Sequence, residues 1–311
     1  MAKADRNNPK RSKASDSEYS LMEFMADFKD DAACLQWLWM QRFSPDGERA
    51  QCPKCEKERK FHKTASRPSW CCDSCGHHIH PTAGTIFHKS STSLQLWFYA
   101  IYLMTSTRCG ISAKQLEREI GVGYKTAWRM VNLIRNELMG DDDEKLSGDV
   151  EADETLVGGK PKGHPKQRRD QRRKVNRKKE LVTVFAAVER SGRVKATIMP
   201  GGRHYGLRKQ LKEWVERESI VITDEFHAYG GLELHFLDHS LINHTETYVD
   251  GDTHTNTIEG FFGNLKTGIR GNYKYVSQKW LQSYLDEFTF RYNHRHDERA
   301  MFETLLMRTV S

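Results

Sequence analysis

Hydrophobic positions in the second half of the chain fall into short alternating or apolar runs, separated by amphipathic stretches with helical spacing. The short runs predict five strands, at residues 149–159, 181–190, 193–200, 219–225 and 239–250. The amphipathic stretches predict helices at 206–218, 254–268 and 277–294. Three successive strands, a helix, two more strands and two closing helices favour a mixed α/β layer architecture for this half of the chain.

The first half of the chain has a different pattern. Helical spacing covers residues 19–43 and 93–139, and a polar, cysteine-rich segment lies between them. These changes predict six segments: a disordered basic tail at 1–18, an N-terminal helical segment at 19–48, a cysteine-bearing segment at 49–92, a helical block at 93–139, an acidic linker at 140–148 and the mixed α/β domain at 149–311.

Composition restricts the class of protein. The chain has 311 residues, 37% of them hydrophobic and 29% charged, which suits two packed domains or three small ones. No apolar run approaches the roughly 20 residues that a membrane helix needs. The N-terminal stretch MAKADRNNPKRSKASDSE has no apolar core, which excludes a secretory signal. We therefore expect a cytoplasmic protein that does not engage a membrane.

Positive charge is concentrated in one loop. The formal net charge is +7, and residues 160–180 alone hold eleven Lys or Arg against two acids. A polyanionic partner engaged by this segment is one interpretation, and a solvated loop without a function is the other. The arginines of the loop that we assign to DNA contact are Arg168, Arg169, Arg172 and Arg173.

Five of the seven cysteines lie within 24 residues, which favours a metal site over disulfides in a chain without an export signal. Two CxxC pairs, Cys52 with Cys55 and Cys72 with Cys75, are separated by sixteen residues. This spacing predicts a zinc ribbon in which four thiolates hold one structural Zn²⁺. Cys71 could replace Cys72, but the CxxC spacing favours Cys72. Three nearby histidines are spare candidates for ligands: His77, His78 and His80.

The segment ISAKQLEREIGVGYKTAWRMVNLIRNEL predicts two helices joined by a short glycine turn. Ser112 and Gln115 have the spacing of a capping box at the first helix. The second helix has core spacing on one side and basic residues elsewhere, among them Lys125, Arg129 and Arg135. The pattern is that of a DNA-binding helix-turn-helix, and a plain bundle element would show it equally. We assign Lys125 and Arg129 to DNA contact.

Three acids lie on separate predicted elements of the C-terminal domain. Asp153 lies on the first strand, Asp224 ends the fourth, and Glu259 follows it on a helix after thirty-four intervening residues. Lys266 lies two helical turns beyond Glu259 on the same face. Neighbouring parallel strands would present Asp153 and Asp224 side by side, because strand side chains alternate between faces.

Clustered carboxylates repel each other unless a cation lies between them, so the set predicts a site for two Mg²⁺ or Mn²⁺ ions about 4 Å apart. The alternative is three exposed acids at strand and helix ends. Asn256 is a candidate N-cap for the helix of Glu259, since Asn is favoured at that position.

The phrases VEADETLVGGK, VITDEFHAYGGL, HTNTIEGFFGNLKTGIRG and FTFRYNHR resemble the bacterial insertion-sequence DDE transposases that carry an N-terminal zinc ribbon, a group related to the Merlin elements. The resemblance covers roughly residues 30–300. It implies an RNase H-like catalytic domain with Asp153, Asp224 and Glu259 as metal ligands. It also implies that Lys266 contacts DNA near the scissile phosphate.

The same resemblance implies a transposase that binds the inverted-repeat ends of its own element. It would cut one DNA strand to free a 3′-OH and join that 3′-OH to target DNA. The partner would be double-stranded DNA, the protein would associate with the bacterial nucleoid when bound, and a homodimer is expected because both ends are handled together. Two other interpretations are a non-catalytic DNA-binding regulator and an RNase H-like nuclease that does not join strands.

Overall fold

The structure is a computed structural model that describes residues 19–107, 109–140, 143–158, 181–190, 192–199, 206–224, 229–242, 255–297 and 299–310. The predicted tail at 1–18 and the basic loop at 160–180 lie outside the described residues. Two compact units are present. One holds the described residues up to Ser106 together with those from His294 onward, and the other spans Thr107–Asn293. No helix in the described part of the chain is long and apolar enough to cross a membrane.

The N-terminal helical pattern forms two helices. The first, α1, spans Leu21–Asp27, and the second, α2, spans Asp31–Arg42. Ser20 caps α1 in a capping box with Glu23, and the Asp30 side chain accepts a hydrogen bond from the N–H of Ala33 at the start of α2. The helical spacing over 19–43 thus corresponds to two consecutive helices, and Asp30 provides the start signal of the second.

A four-stranded antiparallel sheet carries the paired cysteines. Its strands are β1 (Arg49–Cys52), β2 (Lys57–Lys63), β3 (Trp70–Cys72) and β4 (His78–Ile79), in that order. The sheet is too small to form a core alone, and α2 supplies the missing apolar surface. Trp39 of α2 stacks on Trp70 with ring centroids 4.8 Å apart and planes 4° apart, and both side chains are buried.

The last helix of the chain packs in the same unit. Helix α3 spans Leu94–Ser106, and the C-terminal helix spans Met301–Arg308. Phe302 of the C-terminal helix contacts an aromatic cluster from α1 and α3 that includes Phe24 and Tyr102. The sequence pattern placed these residues in the block at 149–311, and the structure groups them with the N-terminal unit because Phe302 is buried in that cluster.

The second unit begins with two helices, α4 (Ala113–Ile120) and α5 (Tyr124–Leu138). The side chain of Ser112 accepts from the N–H of Gln115, as the sequence predicts. The amide of Gln115 donates to Glu119 instead of completing the capping box. Gly121 ends α4 with φ of 67°, a left-handed conformation that glycine adopts without a steric penalty.

A five-stranded sheet forms the centre of this unit. Its strands are β5 (Asp149–Gly158), β6 (Leu181–Glu189), β7 (Val194–Ile198), β8 (Ile220–Asp224) and β9 (Asp238–Ile242). The spatial order is β7-β6-β5-β8-β9. The first three strands pair antiparallel, whereas β8 lies parallel to β5 and β9 lies parallel to β8. All five strands predicted from sequence are present, and residues 243–250 of the fifth prediction lie outside the described residues.

Helices cover both faces of this sheet. Helix α6 (Leu207–Trp214) packs on one face with Val150 and Phe185. Helices α7 (Asn256–Gly268) and α8 (Gln278–Asn293) pack on the other, and the C-terminal helix, numbered α9, lies outside this unit. Gly268 allows a close approach of α7 to α8, since a Cβ there would overlap the ring of Phe288.

The edge strand β7 is covered by side chains from α8. Asn293 accepts from the N–H of Val194 at 2.8 Å, and Gln282 accepts from the N–H of Ile198 at 3.1 Å. These contacts satisfy outward-facing backbone groups that would otherwise be open to pairing with another strand.

The predicted linker also contributes to packing, because Leu146 is buried and bridges to Val215.

Candidate functional site

Parallel pairing of β5 and β8 brings two of the predicted acids onto the same face of the sheet. In the register of β5 and β8, the last pair is Glu151 opposite Ile222. Asp153 and Asp224 each lie two residues further along their strands, so alternation places both on the face of that last pair. Asp153 also pairs with Ala186, which belongs to the core beneath α7 and α8. Both acids therefore lie on the face that α7 covers.

Asp153 has an environment that disfavours its charged form. Burial is the main cause, and the negative charges of Glu154, Asp224 and Glu259 add to it. A hydrogen bond from the N–H of Glu154 acts in the opposite direction, at 2.7 Å to Oδ1 of Asp153. The net effect raises the pKa of Asp153 to about 7. Asp224 and Glu259 are thus close enough to Asp153 for their charges to oppose its ionisation.

Helix α7 carries Glu259 and Lys266. Glu259 lies exposed in the first turn, and Lys266 lies half-buried in the last turn. Apolar neighbours on the same helix, Phe261 and Leu265, pack into the sheet. One acidic and one basic residue thus lie on the helix that covers the sheet face of Asp153.

The N-terminus of α7 is capped from the sheet. The residue at the N-cap position is Thr255, so Asn256 is the first helical residue and the cap expected at Asn256 is wrong. The carboxylate of Glu151 on β5 accepts from the N–H groups of Thr257 and Ile258 instead. Strand alternation predicts that Glu151 shares a face with Asp153, but the sequence gives no signal for its contact with α7.

A second acid on β5 has a partner on the opposite face. Glu154 accepts a hydrogen bond from the hydroxyl of Tyr229, which is buried in the α6 layer. Burial, followed by the negative charge of Glu154, raises the pKa of Tyr229, so the phenol stays protonated and remains a donor. This contact fixes the strand residue that follows Asp153.

The three predicted acids do not converge into one tight group. Among the residues that the structure describes, only Cys52, Cys55, Cys72 and Cys75 form a set of three or more possible ligands whose atoms all lie within 4.8 Å of one another. The carboxylate oxygens of Asp153, Asp224 and Glu259 do not all lie within that distance of one another.

The four thiols that meet, called here the cysteine cluster, could hold a metal such as zinc. The Sγ atoms of Cys52 and Cys75 lie 3.6 Å apart. Burial opposes ionisation of Cys52, but N–H groups of Cys55 and Lys54 outweigh it and lower the pKa of Cys52 to about 7. Cys71 is outside the cluster. His78 bonds to Ser69 Oγ at 3.2 Å, and neither it nor His77 or His80 joins the cluster.

The basic residues of α5 divide between solvent and core. Lys125 and Arg129 are exposed, and the ring of Trp128 beside them is partly exposed. Arg135 is buried, contrary to its expected location outside the core, because it forms an ion pair with Glu287 of α8. The four arginines assigned to DNA contact in the basic loop, Arg168, Arg169, Arg172 and Arg173, lie outside the described residues.

Comparison with known proteins points to mobile elements. Residues 145–293 match the family described as the ISXO2-like transposase domain. An uncharacterized protein in transposable element ISH50 of Halobacterium salinarum is 28% identical over 252 residues, which cover 77% of this chain and 84% of the relative. An uncharacterized transposase-like protein of Haemophilus influenzae is 26% identical over 101 residues, covering 32% and 81% respectively. No solved structure matches the chain.

Proposed function

We propose that the protein, whose residues 145–293 match the ISXO2-like transposase domain family, binds the inverted-repeat ends of its own insertion sequence and catalyses metal-dependent cleavage and transfer of DNA strands. The observation that carries this proposal is the parallel pairing of β5 with β8 inside the matched segment. That pairing puts Asp153 and Asp224 on the sheet face that α7 covers, and α7 carries Glu259.

The sheet topology supports an RNase H-like catalytic domain. Three antiparallel strands, β5 to β7, are extended on the other side of β5 by two parallel strands. Helices lie on both faces. In such a sheet the first and fourth strands are neighbours, so residues far apart in sequence share one face and one end of the sheet.

The three acids fit a divalent cation by their chemistry. Carboxylate oxygens are the ligands that Mg²⁺ and Mn²⁺ prefer, and Asp153, Asp224 and Glu259 would hold them. The mutual opposition of their charges supports this assignment, because a bound cation relieves it. When bound, the two ions supply Lewis-acid stabilisation of the attacking and leaving oxygens of a phosphodiester.

Basic residues would position the DNA. Lys266, on the same helix as Glu259, would contact a phosphate next to the bond that is cut. Helices α4 and α5 would act as a helix-turn-helix in which Lys125 and Arg129 meet DNA. The basic loop at 160–180, with Arg168, Arg169, Arg172 and Arg173, would add sequence-independent contacts to the backbone.

The cysteine cluster would hold one structural Zn²⁺. Its four thiols leave no open coordination position for chemistry, so its role is to stabilise the four-stranded sheet. The sheet and the helix-turn-helix would together recognise the end sequence. Because both ends of an element must be processed together, the active form would be a homodimer that acts at the nucleoid.

An assay with DNA that carries the element's ends tests the proposal. Purified protein with Mg²⁺ should cut at the end and join the released 3′-OH to a second duplex. Cleavage without joined product would favour a nuclease, and end binding without cleavage would favour a DNA-binding regulator.

A further inference from the structure

We propose that Glu151 is a positioning residue that fixes α7, and with it Glu259, against the strand that carries Asp153. The inference rests on the proposed function of the three acids as a metal site. It assigns to Glu151 no contact with metal or DNA.

Glu151 is fully buried, and its carboxylate accepts hydrogen bonds from α7 and from Arg190. Oε2 accepts from the N–H of Thr257 at 2.9 Å and from the N–H of Ile258 at 3.0 Å. Oε1 accepts from the hydroxyl of Thr257 at 3.0 Å and from Nε of Arg190 at 3.1 Å. A single side chain of β5 therefore holds the first turn of α7 through three donors.

The donors are those that a helix start leaves unsatisfied. Thr257 and Ile258 are the second and third residues of α7, the positions whose N–H groups a capping side chain normally satisfies. A carboxylate is a strong hydrogen-bond acceptor, and negative charge is favourable near the N-terminus of a helix because the helix dipole is positive there. Since the acceptor comes from β5 rather than from the preceding residue, the cap also joins helix to sheet.

The position of this junction links two of the three acids. Glu151 and Asp153 are two residues apart on one face of β5, and Glu259 directly follows Ile258 on α7. A shift of the first turn of α7 would therefore move Glu259 relative to Asp153. The side chains of Ile258, Phe261 and Leu265 pack into the same core, and Glu151 adds polar contacts that fix the backbone of the first turn.

Arg190 is an ion-pair partner of the buried Glu151 carboxylate. It follows β6, its Nε contacts Glu151, and its Nη1 lies 3.6 Å from Asp149 Oδ2. Glu151→Gln would break this ion pair and leave Arg190 paired with the more exposed Asp149. This pair provides a matched control, because Asp149→Asn alters the surroundings of Arg190 without touching α7.

The test uses full-length, zinc-loaded protein with four variants: Glu151→Gln, Asp149→Asn, Glu259→Gln and the double variant Glu151→Gln/Glu259→Gln. The first measurement is hydrogen exchange of backbone amides in Mg²⁺-free buffer. The second is the affinity for Mn²⁺, measured by calorimetry without DNA. Neither readout depends on cleavage activity.

In Glu151→Gln, exchange should accelerate at the amides of Thr257 and Ile258 and stay unchanged in α8, while Asp149→Asn behaves as wild type. Mn²⁺ affinity should fall about tenfold, the lower end of what loss of a residue supporting a metal ligand costs. In the Glu259→Gln background the same change should have no further effect, because Glu151 acts through Glu259.

Three results would overturn the inference: faster exchange throughout the unit, unchanged Mn²⁺ affinity, or an equal loss in the presence and absence of Glu259. If Glu151→Gln does not fold, Thr257→Val serves as the second test, because it removes the hydroxyl that donates to Glu151. A two- to threefold weaker Mn²⁺ affinity supports the role and unchanged affinity excludes it. A wild-type protein that binds Mn²⁺ through Glu259 but never cuts DNA would refute the proposed function alone.

Discussion

Arg135 of α5 and Glu287 of α8 form a buried ion pair with 2.7 Å between Nε and Oε2. Both side chains are almost completely excluded from solvent. Tyr273 donates its hydroxyl to Glu287, Arg291 adds a second cation at 3.0 Å, and the ring of Tyr284 lies 4.1 Å from the Arg135 guanidinium. Burial alone would raise the pKa of Glu287, but the two arginines hold it below its usual value. The helix pair α4–α5 is thus fixed to the five-stranded domain.

Replacement of Glu287 by Gln should reduce the free energy of unfolding by about 3 kcal/mol, since removal of one partner leaves a buried charge uncompensated. Urea denaturation followed by circular dichroism measures the change. Glu213→Gln, which breaks an exposed pair with Lys209, is the matched control and should change stability by less than about 0.5 kcal/mol. Equal small effects of the two substitutions would show that the buried pair does not hold α5 to α8.

The raised pKa of Asp153 predicts a pH-dependent cost in Mg²⁺-free protein. The folded state binds the proton more tightly than the unfolded chain, so stability falls as pH rises from about 4 toward the folded-state pKa of about 7. Asp153→Asn removes this cost. Its melting temperature should exceed that of wild type by a few degrees at pH 8, and the difference should vanish at pH 4.

Thermal melts of Asp149→Asn over the same pH range provide the control, because Asp149 is exposed on the same strand. A difference between Asp153→Asn and wild type that does not vary with pH would contradict the assigned environment of Asp153.

Substitutions at the adjacent residues Cys71 and Cys72 distinguish the two possible sets of metal ligands around the cysteine cluster. Cys72→Ser should abolish stoichiometric zinc binding and weaken end binding, because the tetrahedral site needs all four thiolates. Cys71→Ser should retain the metal, since Cys71 is outside the cysteine cluster. Metal analysis of the purified variants gives the result directly. Full zinc content in Cys72→Ser would exclude the proposed site.

Lys266 should contribute one phosphate contact. Lys266→Ala is expected to weaken DNA binding and to reduce the slope of log affinity against log salt by about one. Mobility-shift titrations at several salt concentrations measure this slope. Lys209→Ala changes an exposed lysine of α6, on the opposite face of the sheet, and should leave the slope unchanged. An unchanged slope in Lys266→Ala would remove Lys266 from the DNA interface.

Local sequence patterns predict most elements of this fold and the face on which the acids lie. Apolar runs and strand alternation are properties of neighbouring residues, so β5, β8 and the shared face of Glu151 and Asp153 follow from them. Asp30, the N-cap of α2, is an equally local signal for the start of a helix.

The long-range polar contacts could not be predicted in this way. Glu151 meets Thr257 across 106 positions, and Arg135 meets Glu287 across 152. No periodicity identifies such partners, because each pairing depends on how separate helices dock on the sheet. Arg135 is a basic residue on an amphipathic helix, and the sequence pattern places it outside the core. It is buried because α8 brings Glu287 next to it.

The most direct test of the three-acid site separates DNA binding from DNA cleavage. Asp153→Asn, Asp224→Asn and Glu259→Gln should each bind the element's end as tightly as wild type and yield no cut or joined product with Mg²⁺. Asp149→Asn, an exposed acid on the strand of Asp153, should cut and join normally. Cleavage at the wild-type rate by any of the three variants would contradict the assignment of these acids to the catalytic site.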